Sequence, residues 1–238
     1  MNPFSLAPAS RDRLRAILLD AGNTLVQVSM ARVATTLQEM NFSVTPEELR
    51  KREYEVRIQI DRPEIVLSTH DASRWEIYVG LLLTGVGIPS TACPEIFKRL
   101  QAEHRQRNLW EEPIPGTYEA LKTLQSMGLR LAVVSNADGR VAQLLESVDL
   151  AAPFEQIFDS EILGIEKPDP GIFQSVLNTL RLRPEEVIHV GDLYHVDVLG
   201  ARAAGIHPFL VDPTGKHPFG DCDRVRDLQE LTDRLQET

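Results

Sequence analysis

The sequence predicts an α/β fold, a doubly wound parallel sheet interrupted by an inserted helical domain. Three observations lead there. Short apolar runs alternate with helical patterns from Pro113 onward, the signature of parallel strands linked by crossover helices. One further apolar run, over residues 15–20, stands well ahead of that alternation. Between them, residues 28–112 carry helical patterns and no strand pattern, as a small helical bundle would. The domains expected are therefore 1–27 with 113–238 as a discontinuous α/β core, and 28–112 as a helical cap.

Each element has its own local reason. The run at 15–20 is short, apolar and closed by the turn residues Ala21-Gly22-Asn23. In the insert, Thr45-Pro46-Glu47-Glu48 joins an N-cap, a proline at the first helical position and acids in the first turn. From about residue 72, Trp75, Tyr78, Val79 and Leu82 recur at helical spacing until Gly85. Another helix covers about 93–107. Beyond Pro113, a helix over 117–127 leads to a strand at 131–134, then to Ser135-Asn136-Ala137-Asp138 and a helix ending near 148. A strand over 157–163 and a helix over 170–180 follow. A strand over 187–190 then runs through Gly191-Asp192 into a helix reaching 204. The last strand is expected at 209–211, and a terminal helix with a solvated charged face at 224–235.

Composition narrows the function classes. A chain of 238 residues, 42% hydrophobic and 25% charged, buries enough surface to fold without a disulfide or metal staple. Its 35 acidic and 25 basic residues give a net charge of −10, repulsive on average to nucleic acid and anionic membrane. Cys93 and Cys222 show no metal-ligand spacing and no disulfide framework, as in a reduced intracellular chain. The run Ala16-Ile17-Leu18-Leu19 is too short for a signal peptide. The apolar stretch 77–89 falls short of the roughly 20 residues that span a bilayer. A cytoplasmic monomer or homodimer acting on a small molecule is expected, with neither nucleic acid nor membrane as partner.

In open α/β sheets, ligands bind beyond the carboxyl ends of the strands. Here those positions carry Asp20, Ser135 with Asn136, Lys167 in the loop after the third strand, and Asp192. A carboxylate can attack phosphorus, paired carboxylates can hold Mg²⁺, and hydroxyl, amide and ammonium groups can bind phosphoryl oxygens.

At these residues the sequence resembles a known family. Leu19-Asp20-Ala21-Gly22-Asn23-Thr24-Leu25, Val134-Ser135-Asn136, Lys167-Pro168-Asp169-Pro170, and Gly191-Asp192 with Asp197 look like motifs I to IV of the haloacid dehalogenase superfamily. The insert after motif I is similar to that superfamily's type I helical cap. The resemblance implies that Asp20 is a nucleophile forming an aspartyl intermediate, oriented by Thr24. Ser135 and Asn136 would bind phosphate, and Lys167 would offset charge on Asp20 and the transferring group. Asp20, the Gly22 carbonyl, Asp192 and Asp197 would hold Mg²⁺. The implied substrate is a small phosphorylated molecule, with the cap closing over it.

One position departs from the pattern. Family phosphatases carry a second aspartate, an acid/base, where this chain has Gly22. Three readings stay open. The acid comes from elsewhere, with His195, or His70 with Asp71 and Arg74, as candidates, or the leaving group needs none. Alternatively, the chemistry is that of a metal-independent dehalogenase, or of a phosphonatase using a cap lysine, for which only Lys51 and Lys98 are available. Or the chain is a phosphate-binding regulatory relative. Plainer structural roles also apply. Ser135 or Asp138 can cap the next helix, as can Asp197; His189 reads as a buried, hydrogen-bonded strand residue, and Trp75 as bundle core.

Overall fold

The computed structural model describes residues 13–237. They form two compact units: the chain up to Gln27 together with Pro113 onward, and Val28–Glu112. The first unit is built on a six-stranded sheet of order β5-β4-β1-β6-β7-β8. Its strands are β1 (Ala16–Leu19), β4 (Arg130–Ser135), β5 (Gln156–Asp159), β6 (Val187–Gly191), β7 (His207–Val211) and β8 (Asp223–Val225). The short pair β2 (Val26–Gln27) and β3 (Glu112–Pro113) forms a separate ribbon. Every pairing in the large sheet is parallel. All four residues of β1 are fully buried, as a central strand covered on both faces must be. Helices such as Pro170–Leu180 do the covering, with Ile172, Phe173, Val176 and Leu177 packed on Leu18, Ala132 and Val134. Because β1 lies between β4 and β6, the carboxyl ends of these three strands are neighbours.

The sheet departs from the sequence reading at both edges. The strand expected over 157–163 ends at Asp159, and Ser160–Leu163 is a helical turn. The reason is the Asp159 carboxylate, which accepts from Glu161 N–H at 3.0 Å and starts that turn. The same carboxylate accepts from Gly139 N–H (3.1 Å) and Val141 N–H (3.2 Å). It therefore caps the helix Val141–Ser147, a task that Ser135 and Asp138 do not perform. At the other edge β7 is not the last strand. Residues 223–225 form β8, and the terminal helix starts only at Leu228, capped by Asp227.

The segment after Asp192 is also not a plain helix. Tyr194–Val198 is a π-helical turn, followed by the α-helix Leu199–Ala203. The amides of Asp197 and Val198 both donate to Leu193 O, at 2.8 and 3.4 Å. The residue so accommodated turns the Asp197 side chain back to Leu193 N–H, at 3.0 Å. A loop beyond β7 braces this turn: Tyr194 stacks on Phe219 with ring centres 4.3 Å apart, and its hydroxyl donates to Asp221 at 2.9 Å. Arg202 donates to the same Asp221 oxygen at 2.8 Å.

The second unit is helical, with main helices Met30–Glu39, Pro46–Ile60, Asp71–Gly85 and Cys93–Gln106. Thr45 and Glu48 form the reciprocal capping box that starts the second of these. Leu37, Leu49, Val56, Leu83, Ile96 and Leu100 are buried in this unit. The carboxylate of Glu53, also buried, is held by Arg57 at 3.0 Å. Trp75 stacks on Tyr78. Lys51 and Lys98 are both exposed. Among the described residues no helix is long and apolar enough to cross a membrane.

Candidate active site

Asp20 leaves the end of β1 and anchors its own N–H on Val190 O of β6, at 2.9 Å. The chain then turns sharply, with Asn23 in the left-handed region (φ 53°), which asparagine tolerates better than most residues. The turn closes through Leu25 N–H to Ala21 O (2.9 Å) and Asn23 N–H to Val26 O (2.6 Å). It aims the Asn23 amide at the neighbouring strand end, where it donates to Asp192 Oδ2 at 3.1 Å.

Lys167 joins the groups. Its side chain is 1% exposed, and its ammonium lies 2.7 Å from both Asp20 Oδ1 and Asp197 Oδ1. A buried charge persists only when paired in this way. Its backbone is fixed as firmly. Asn136 Oδ1 accepts from Lys167 N–H at 2.7 Å, and Asn136 Nδ2 donates to Lys167 O at 2.8 Å. Asp197 receives more: His189 Nε2 lies 3.0 Å from Oδ1, and Leu193 N–H donates to Oδ2. An ionised carboxylate only accepts, so Nε2 carries the proton. The His189 ring is fully buried and meets Phe173 edge-on.

These contacts set the charges. Burial opposes ionisation of Asp197, but the Lys167 ammonium and the His189 bond outweigh it and hold the carboxyl well below its usual range. Burial likewise opposes the Lys167 ammonium, yet Asp197 and Asp20 together hold it above its ordinary value. For Asp20 burial prevails: it pushes the carboxyl up, Lys167 resists, and the Asp197 charge adds to the rise.

Asp20, Asp192 and Asp197 are all buried and offer carboxylate oxygens within 4.8 Å of one another. Three carboxylates against one ammonium leave two formal negative charges uncompensated. Hard oxygen donors with that excess fit a divalent cation such as Mg²⁺. Asp197, already engaged through both oxygens, has the least lone-pair capacity to spare.

Gly191 makes the crowding possible. A Cβ there would stand 2.2 Å from Asp197 Cγ, so only glycine lets the carboxylate lie against the strand. Gly191→Ala is expected to displace Asp197 and lower kcat at least about tenfold, a barrier change of roughly 1.4 kcal/mol. Steady-state kinetics would check this, and a variant of unchanged kcat would show that the position of Asp197 is not critical.

Of the residues singled out by sequence, Asp20, Lys167, Asp192 and Asp197 come together. Ser135 sits at the end of β4, buried, its hydroxyl in only a long 3.5 Å contact with Asn136 O. Two expected site residues make other contacts than the resemblance implied. The Asn136 amide, expected to bind phosphate, is engaged at both ends by the Lys167 backbone and so positions the lysine. The Thr24 hydroxyl, expected to orient Asp20, is buried and makes no hydrogen bond to it. His195 packs edge-on against Tyr194 and Phe219 in the brace. In the helical unit, His70 is exposed at the start of helix Asp71–Gly85, and Arg74 is buried and donates to Thr69 O. Sequence reasoning missed Asn23 and the tie from His189 to Asp197. The only signals were an asparagine in a tight turn and a histidine inside an apolar strand.

Comparison with known proteins identifies the family. The model of the haloacid dehalogenase-like hydrolase family matches residues 14–205. The chain is 30% identical over 228 residues to haloacid dehalogenase-like hydrolase domain-containing protein 3 of Mus musculus, covering 91% of this chain and 88% of that one. For the proteins of the same name in Bos taurus and Xenopus laevis, the chain spans only about half of their length or less, 47% and 41%. It is 36% identical over 135 residues to phosphoglycolate phosphatase 1 of Pseudomonas aeruginosa, covering 53% of this chain and 49% of that one. A solved dehalogenase with an intermediate complex superposes with TM-score 0.67 at 22% identity, covering 94% of this chain and 97% of the other. With four motifs meeting at the carboxyl edge of one parallel sheet, the chain belongs to the haloacid dehalogenase-like hydrolases.

Proposed function

We propose that this chain is a Mg²⁺-dependent phosphatase that cleaves small phosphorylated molecules through Asp20. The observation that carries the reading is the Lys167 ammonium bridging Asp20 and Asp197 beside a buried three-carboxylate cradle. Lys167 holds one oxygen of Asp20, which leaves the other to attack phosphorus. The ammonium also offsets charge arriving with the phosphoryl group. The Ser135 hydroxyl, at the adjacent strand end, is available to a phosphoryl oxygen. Asp197 holds Lys167 in place, while Asp20, Asp192 and the Gly22 carbonyl, with Asp197 nearby, would hold the cation. Bound there, Mg²⁺ would neutralise and orient the phosphate. The similarity to phosphoglycolate phosphatase 1 supports a small phosphorylated metabolite as substrate.

Metal removal tests the reading. The cation is worth several kcal/mol of barrier. Phosphate release is therefore expected to fall at least about a hundredfold in chelator and to return with Mg²⁺. Full activity in chelator, with halide release from a haloacid, would instead place the chemistry at carbon.

A further inference from the structure

A carboxylate nucleophile meets only half the need of ester hydrolysis. As Asp20 forms its bond to phosphorus, the bond from phosphorus to the leaving oxygen breaks, and its electron pair departs on that oxygen. An alkoxide leaves poorly unless a proton reaches it as the bond breaks. An aryl oxide or a carboxylate leaves as the anion unaided.

Among the described residues of the α/β unit, no side chain beside Asp20 is placed to supply that proton. The titratable neighbours are Lys167, Asp197, His189 and Asp192. Lys167 already donates to two carboxylates, each at 2.7 Å. Asp197 is an acceptor on both oxygens. His189 is fully buried, and its Nε2 proton is spent on Asp197. Asp192 accepts from Asn23 and belongs to the cation cradle. Two residues beyond the nucleophile, on the same turn, Gly22 brings no side chain at all.

We infer that the natural substrate, on the phosphatase reading above, is an activated phosphate, an aryl or acyl phosphate whose leaving oxygen is stable as an anion. In the first step Asp20 and the phosphate give aspartyl phosphate and the free oxyanion. In the second, water adds to phosphorus and the electron pair of the cleaved bond returns to Asp20. One proton of that water stays on the released phosphate and the other passes to bulk solvent.

The test is a leaving-group series with the full chain and Mg²⁺: acetyl phosphate, nitrophenyl phosphate, phenyl phosphate and glycerol phosphate, each read as kcat/KM. General acid catalysis is typically worth about 10²–10⁴-fold. Glycerol phosphate is therefore expected to fall at least roughly a hundredfold below nitrophenyl phosphate, with phenyl phosphate between. Gly22→Asp is expected to raise the ratio of glycerol phosphate to nitrophenyl phosphate kcat/KM at least about tenfold, within the range a general acid supplies. The wild-type series stands by itself if that variant folds poorly. A flat series that still depends on Asp20 overturns the inference and leaves the nucleophile intact, since a proton donor must then come from elsewhere. No turnover of any member overturns the phosphatase reading and this inference together.

Discussion

Asp20→Asn is expected to lower phosphate-ester turnover by a factor on the order of 10⁴–10⁶, the scale seen when a covalent nucleophile is removed, while the protein melts no lower than before. The second half of this expectation follows from burial. A carboxyl whose pKa rises on folding binds its proton more tightly in the folded chain. Above both values its ionised form therefore costs stability. Asparagine removes that cost and keeps an oxygen for the Lys167 ammonium. Phosphate release and calorimetry on one preparation check both halves. A large drop in Tm would trace the lost activity to unfolding, and unchanged turnover would remove Asp20 from the chemistry.

Asp197→Asn should behave in the opposite way. Here the folded environment favours the charge, because Lys167 and His189 both meet Oδ1. Breaking a buried ion pair from one side costs about 3–5 kcal/mol, so Tm should fall by roughly 10 °C at about 2–4 °C per kcal/mol for a chain of this size. The pH dependence has a definite sign. A carboxyl held low contributes stability that is present above its ordinary value of 3.8 and lost as pH falls through its folded value. A lysine held high contributes fully below its ordinary value of 10.5, and loses this as pH rises through its folded value. These two groups alone give a stability plateau between those ordinary values, tilted at its acid end by the raised Asp20 carboxyl, with an acid limb that is shallower in Asp197→Asn. Equal acid limbs would mean that the ion pair contributes nothing to folding.

What the sequence disclosed, and what it hid, separates along physical lines. Apolar runs such as Ala16–Leu19 and the core of β4 announce central strands because burial on both faces demands them. Chemistry-bearing residues placed just past such runs are legible for the same reason. Edge strands are not: β8 has three residues, two of them the charged Asp223 and Arg224, and leaves no apolar trace. Apolar letters also misled, since Ile162 looks like strand and is 73% exposed on a helical turn. That turn exists because Asp159 spends its carboxylate on local amides. Side-chain roles were least visible where a distant partner decides them. Asn136 resembles a phosphate ligand by type, yet residue 167 takes both ends of its amide. The π-helical turn that delivers Asp197 depends on one hydrogen-bond register, which no spacing of residues encodes.

The double anchoring of Lys167 has a thermodynamic corollary. A free lysine side chain forfeits up to about 2 kcal/mol of rotamer freedom when it is ordered. In this molecule the main chain is clasped by Asn136 and the ammonium is seated between two oxyanions. The freezing of that long flexible arm is thus completed as the chain folds, and an arriving ligand meets a cation already immobile, with no torsional entropy left to surrender there.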